Sequence, residues 1–318
     1  MPYVLCSRIS IGGMSFGGVH DVQIERSIYK LGATAVVKVP VTAILQYSGM
    51  PPTEIETAKA IKAGDPVSIE LGYDGIYNLE FKGYVKQLNL KTPLEIVCED
   101  AFYLTRKKSI TLSGKTTLQD VLKKSGLDIA YCTTLTLSQF QVDNRPVSWV
   151  LGKLQKDYGL SIFFDINGKV YASDPFKVVG DTVKYTLRKN VIKDDDLKYQ
   201  LAEDVRLKIK AVCIYRDGTK VEAEIGASDG TEKTIYFYDV QDKNELIVLA
   251  NAALKRHSYD GYSGRIETFL FPFAAPAMLA ELRDEVYNMR DGRYYVESVT
   301  VSYGRSGARR TVEIGLKI

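Results

Sequence analysis

One phrase occurs twice in this chain. Near the front it reads Gly64-Asp65-Pro66-Val67-Ser68-Ile69-Glu70-Leu71-Gly72-Tyr73, followed by Phe81-Lys82-Gly83-Tyr84-Val85. Near the end it reads Arg283-Asp284-Glu285-Val286-Tyr287, followed by Asp291-Gly292-Arg293-Tyr294-Tyr295-Val296-Glu297-Ser298-Val299. Each copy reads as an Asp-x-Val strand start, a polar turn, and a Gly-led strand of alternating aromatic and β-branched residues. Two unrelated β-hairpins would also share such turn chemistry. Read as a true repeat, the phrase means that one chain carries two related β-modules around an unrelated middle. Three such chains would set six similar modules around an axis, a geometry suited to a six-fold partner.

The rest of the chain divides accordingly. Up to about Asp100 the pattern is strands and turns: Val22 to Ile28 alternates, Thr34 to Val41 is strand-like up to Pro40, and Leu94 to Asp100 adds another run. Thr53 with Glu56 has the form of a capping box and Gly64 that of a helix stop, which predicts a short helix between them. From Ala101 to Tyr199 the period changes. Thr117 to Gly126 reads as a capped helix, and Pro146 starts a second with Val147, Val150, Leu151, Leu154 and Tyr158 on one face, stopped by Gly159. Leu160 to Ala172 is a hairpin with Asn167-Gly168 at its turn.

From Leu201 strands return: Val205 to Tyr215, a turn at Asp217-Gly218, and Val221 to Ile225. A helix over Asp242 to His257 carries a box at Asp242 and Glu245 and a stripe of Leu246, Leu249, Ala250, Ala253 and Leu254. A short helical turn is expected after Ala274, leading into a strand near Glu285, and Tyr294 to Ile318 closes the chain as a hairpin. The reading is an α+β, mainly β chain: a first β-barrel module at 1–100, an α+β insert at 101–199, and a second β-barrel module with one helix at 200–318.

Composition narrows the function. The chain has 318 residues, is 45% hydrophobic and 25% charged, and carries a net charge of +3, too mild to argue by itself for a nucleic-acid protein. The longest apolar stretch, Phe269 to Ala280, is too short to cross a bilayer and is broken by Pro272 and Pro276. No basic region with a long apolar core opens the sequence, so no secretory signal is expected. Cys6, Cys98, Cys132 and Cys213 are scattered without a Cys-x-x-Cys pair and read as free thiols. The 21 tyrosines suit half-buried strands and wet contact surfaces.

Chemistry-bearing motifs are scarce. His20 and His257 are far apart, and His257, ending a helix, reads as a structural cation at the dipole's negative end. Gly12-Gly13-Met14-Ser15-Phe16-Gly17-Gly18 lacks the lysine and following helix of a phosphate loop and reads as a turn. Asp194-Asp195-Asp196 lacks the spacing of a calcium loop and reads as a solvated linker. Gly304-Arg305-Ser306-Gly307-Ala308-Arg309-Arg310 reads as a basic hairpin tip, either a soluble turn or a contact for nucleic acid or an acidic partner. No acid, base and nucleophile gather in the sequence, so neither an enzyme nor a cofactor or metal is expected.

The first phrase, the middle run Pro146-Val147-Ser148-Trp149-Val150-Leu151-Gly152-Lys153-Leu154-Gln155-Lys156-Asp157-Tyr158-Gly159-Leu160 with Phe163-Phe164-Asp165 and Tyr171-Ala172-Ser173-Asp174-Pro175, and Gly292 to Tyr303 resemble the phage late control protein D family, the baseplate hub of contractile tails. Arg283 departs from that family's glycine before the aspartate. The resemblance implies a virion protein made in the bacterial cytoplasm. It implies a homotrimer whose barrels form a pseudo-six-fold ring between a hexameric tail tube and a trimeric spike, and, with the sequence ending at Ile318, a spike supplied by a separate protein. It carries no catalytic residues. Arg305, Arg309 and Arg310 are the candidates for contact with DNA or tape-measure protein in the lumen. The alternative is a cell-wall or glycan-binding tail module, or a peptidoglycan hydrolase domain.

Overall fold

A computed structural model describes residues 4–45, 51–137, 140–178, 180–215, 219–238, 240 and 242–318, apart from the side chains of Leu45 and Met289. The turn expected at Asp217-Gly218 lies outside these residues. The front contains β1 (Leu5–Ile11), β2 (Met14–Phe16), β3 (Asp21–Ser27), β4 (Thr34–Val39), β5 (Thr42–Leu45), β6 (Thr53–Glu56), α1 (Thr57–Ala60), β7 (Pro66–Tyr73), β8 (Ile76–Asn89) and β9 (Leu94–Glu99). The expected capping box is not one: Thr53–Glu56 pairs with β5, and α1 starts after it with no side-chain cap. Cross-strand pairing overrode the local cap signal, and Gly64 instead takes a positive φ of 95° at the corner into β7.

The middle contains α2 (Phe102–Thr105), β10 (Ser109–Leu112), β11 (Thr116–Thr117), α3 (Leu118–Lys124), β12 (Ile129–Cys132), β13 (Thr136–Leu137), β14 (Val142–Pro146), α4 (Val147–Tyr158), β15 (Ser161–Phe164) and β16 (Val170–Ser173). Thr117 caps α3 by accepting the Asp120 N–H, and Gly159 ends α4 at φ 62°. In the hairpin from β15 to β16, Asp165 accepts the N–H groups of Asn167 and Lys169. Val147, Val150, Leu151 and Leu154 of α4 bury against Leu118, Val121 and Leu122 of α3 and the strands around them, giving the middle its own core.

The rear contains β17 (Thr182–Thr186), β18 (Val191–Lys193), β19 (Lys198–Gln200), β20 (Leu207–Ile214), β21 (Lys220–Gly226), β22 (Thr231–Phe237), α5 (Lys243–His257), β23 (Gly261–Thr268), β24 (Leu279–Arg283), β25 (Gly292–Gly304) and β26 (Gly307–Lys317). Asp242 caps α5 through the Glu245 N–H, and this helix covers the small β21-β20-β22 sheet as a third core. The residues after Ala274 form a turn at Pro276-Ala277 rather than a helix, the strand expected near Glu285 runs instead over Leu279–Arg283, and a short 3-10 helix follows at Asn288–Arg290.

The molecule is mainly β, and its front and rear strands belong to one 14-stranded sheet of order β18-β23-β26-β25-β3-β4-β9-β8-β7-β1-β2, with β17, β19 and β24 joined at its flank. Read as hydrogen-bonded pairs, this path is open. Its buried residues form a single cluster that runs from Ile9 and Val22 in the front to Val299 and Ile314 in the rear.

Within that sheet one strand order occurs twice. In the front, β1, β3, β4, β7, β8 and β9 lie as β1-β7-β8-β9-β4-β3; in the rear, β17, β18 with β19, β23, β24, β25 and β26 lie as β17-β24-β25-β26-β23-β18/β19. Local detail repeats too. Val85 exchanges backbone bonds with Gly64 N and Asp65 O, as Val296 does with Ala277 N and Met278 O. Gly64 and Ala277 both take positive φ, 95° and 69°. The next residue, Lys86 or Glu297, is a bulge against β9 or β26. Tyr84-Val85 and Tyr295-Val296 are therefore equivalent, and this half of the repeated phrase is structural. The Asp-x-Val half is not, because Asp65 precedes β7 whereas Asp284 follows β24. The two sets also differ in that β1 is antiparallel to β7 and β17 parallel to β24.

Candidate assembly interface

The halves meet where β25 outruns its neighbour β24. Beyond Val296, residues Ser298 to Gly304 pair antiparallel with Ser27 to Asp21 of β3. Ile28 continues the seam, its N–H donating to Glu297 O at 3.0 Å and its side chain buried against Ala277 and Tyr295. A main-chain ladder of this kind ties two modules without demanding particular side chains.

A buried ion pair fixes the joint. Arg310 of β26 is fully buried and donates to Glu80 Oε1 of β8 at 2.6 Å, to Leu270 O at 2.9 Å and to Ala274 O at 2.7 Å. Its guanidinium also lies over the Phe273 ring at 4.9 Å. Burial pushes the Glu80 carboxyl up, against the pull of Arg310 and Arg26. Burial lowers Arg26 to about 10, with Glu80 holding it against further loss. Arg310 is thus not part of a basic tip, and its burial removes it from any lumen contact. Its partner stands 230 positions away in sequence, and no local signal pointed to Glu80.

The other two candidates differ from it. Arg305 is exposed at the turn between β25 and β26. Arg309 is half-buried, 3.5 Å from Glu267 and over the Phe269 ring at 5.5 Å. The remaining sequence candidates take structural places. Gly12 and Gly13 turn at positive φ between β1 and β2. Asp194-Asp195-Asp196 is a turn that splits one strand into β18 and β19, with Leu197 N–H bonded to Asp194 O, and Asp196 pairs with Arg265. Asp284, missed as a site, anchors the loop after β24. Burial works to raise its carboxyl, yet the N–H groups of Val286 and Tyr287, the Tyr262 hydroxyl and Arg188 hold it below the usual range.

His257 is buried and neutral, not the cation its helix-end position suggests. Burial and the Lys233 and Arg256 charges lower it to about 4, and Lys233 Nζ lies 3.2 Å from its Nδ1. It lines a groove of about 850 Å³ between α4, β22 and α5, beside Phe176 and Tyr236. All four cysteines are free, Cys98 and Cys213 buried and Cys6 and Cys132 half-buried. Among the described residues no three His, Cys, Asp or Glu side chains gather as a metal site would need, and no helix is long and apolar enough to cross a membrane.

No protein-family model and no curated protein matches the sequence. Solved structures match its fold along nearly its whole length. The 43 kDa tail protein of prophage MuSo2 from Shewanella oneidensis aligns at a TM-score of 0.59 and 15% identity over 97% of both chains. A tail protein from Neisseria meningitidis aligns at 0.60 and 11% identity over 99% of this chain and 97% of that one. An Escherichia coli component of the type VI secretion system, described as similar to the T4 tail proteins gp27 and gp5, aligns at 0.56 and 8% identity over 97% of this chain and 76% of that one. This chain therefore shares its fold with two phage tail proteins and a type VI secretion component.

Proposed function

We propose that this chain is a structural protein of a phage tail or a related injection machine: the hub that joins a hexameric tail tube to a trimeric spike as a homotrimeric, pseudo-six-fold ring. The observation that carries the reading is the strand order found twice in one sheet, with the same corner, bulge and Tyr-Val step in each half. Threefold packing of a doubled module offers six near-equivalent faces to a six-fold neighbour. The fold's likeness to tail proteins supports the same role, and with it a place in the virion and a non-enzymatic function. The division at 1–100, 101–199 and 200–318 belongs to this reading, the middle serving as the insert between tube-like modules, with its last strands, β17 to β19, joining the sheet of the rear module. Arg305 and Arg309, near the tip of a long hairpin, are its lumen-facing cations for DNA or tape-measure protein.

The test is co-assembly. The purified chain is mixed with tail tube and spike proteins encoded beside it, and the mass of the complex is read by light scattering. Three copies per complex are expected. A chain that stays monomeric with both partners present contradicts the hub reading. Retention on purified cell wall in place of co-assembly would point to the glycan-binding alternative.

A further inference from the structure

We infer that copies of this chain join head to tail by repeating, between molecules, the seam that joins their own two halves: β8 of one copy, at Gln87–Asn89, pairs antiparallel with β19 of the next, at Lys198–Gln200. The inference deepens the ring reading above and rests on it for the number of copies.

Among the described residues β8 has an unused edge. In the rear, β25 outruns β24 and bonds β3. In the front, β8 outruns β7 in the same way: the ladder ends at Pro66 opposite Tyr84, the corner bonds close on Val85, and the bulge follows at Lys86. Gln87, Leu88 and Asn89 then pair with β9 on one side, and no strand pairs with the other side among the described residues. These three are the counterparts of Ser298, Val299 and Thr300, the first seam residues of β25.

The complementary edge follows from the same framework. Val85 faces Cys98 and Cys98 faces Ala35; Val296 faces Ile314 and Ile314 faces Gly264. Ala35 and Gly264 are thus equivalent, and so are their predecessors Thr34 and Ser263. Thr34 pairs with Glu25 of β3, and Ser263 with Lys198 of β19. β19 is therefore the rear counterpart of the end of β3, and it pairs with β23 alone among the described residues. Carrying over the seam pairs Ser298 with Ser27, Val299 with Arg26 and Thr300 with Glu25 gives Gln87 with Gln200, Leu88 with Tyr199 and Asn89 with Lys198 of the next copy.

A side chain supports the same occupant. Ile28, which extends the internal seam, is 0% exposed, while its counterpart Leu201 is 42% exposed. Ile28 is buried in a cluster with Phe163 of the middle and with Ala277 and Tyr295, and the counterparts of the last two are Gly64 and Tyr84. A second copy would cover Leu201 with those residues. The two edges lie apart in the strand path of one chain, with β23, β26, β25, β3, β4 and β9 between them, so the partner is another molecule. A head-to-tail contact of this kind closes into a ring when its rotation allows and otherwise propagates.

The experiment places Gln87→Cys and Gln200→Cys in the full-length protein, oxidises it, and compares it with each single variant and the parent, which control for the native thiols. Directly opposed strand residues lie within reach of a disulfide. The double variant is expected to give covalent multimers on non-reducing gels and the single variants none of that pattern. Leu201→Asp, at an exposed site, is expected to keep the parent's melting curve and to weaken association about tenfold or more. Sedimentation of the parent with the tail tube and spike proteins present separates the two claims. Oligomers whose double variant forms no such cross-link overturn the edge pairing and leave the ring reading standing. Monomers that still cross-link uphold the pairing and count against a stable ring. Monomers without the cross-link overturn both.

Discussion

At the residue scale the joint between the halves depends on Glu80 and Arg310. Glu80→Gln leaves the fully buried Arg310 without its counter-charge and Arg26 with only Asp100, and a guanidinium cannot shed its proton. The expected loss is about 3–5 kcal/mol in denaturant unfolding, and the double change Glu80→Gln with Arg310→Met should cost clearly less than the two single losses summed. Additive losses would mean that the pair is not coupled. His257 makes a pH prediction. Its folded value of about 4 lies below the unfolded value near 6.5, so between these the unfolded chain binds more protons and stability rises with pH. The contribution is present above about pH 6.5 and fades as the pH falls toward 4, amounting to about 2–3 kcal/mol. His257→Gln should flatten the acid limb of the stability curve in that window; an unchanged limb would show that other groups set it.

At the element scale, what was legible in the sequence was local. Thr117, Asp242 and Gly159 mark helix ends because caps act within a turn of their own residue, and each does so in the fold. The Tyr-Val half of the repeated phrase was legible because strand alternation is local as well. The rest was set by distant partners. Thr53 and Glu56 have the spacing of a cap yet pair with Leu45 and Thr42. Arg310 looks like a tip residue until Glu80 arrives from the other module, and Asp284 looks like a strand start until Arg188 and Tyr262 make it a loop anchor. Gly83 tests the tightness of the front meander: a Cβ there would meet Glu99 O at 2.3 Å and Asp100 Cα at 2.8 Å. Gly83→Ala should therefore cost about 2–3 kcal/mol in thermal or chemical unfolding, and a neutral outcome would mean that β8 and β9 shift apart without loss.

At the scale of the whole molecule, duplication supplies both a stable chain and a means of assembly. The long strand of the rear module is used up inside the molecule, bonded to β3, while the long strand of the front module ends on an edge that is open among the described residues. Open edges invite pairing, and a fold that hides one and leaves its equivalent bare is suited to copies of itself. The most direct measurement is an electron-microscopy reconstruction of the ring formed by this chain with its tail partners. The account predicts a threefold ring in which six modules superpose and every second junction is the β25–β3 seam, alternating with β8–β19. A ring of another symmetry, or three chains touching through the inserts with both edges bare, would contradict it.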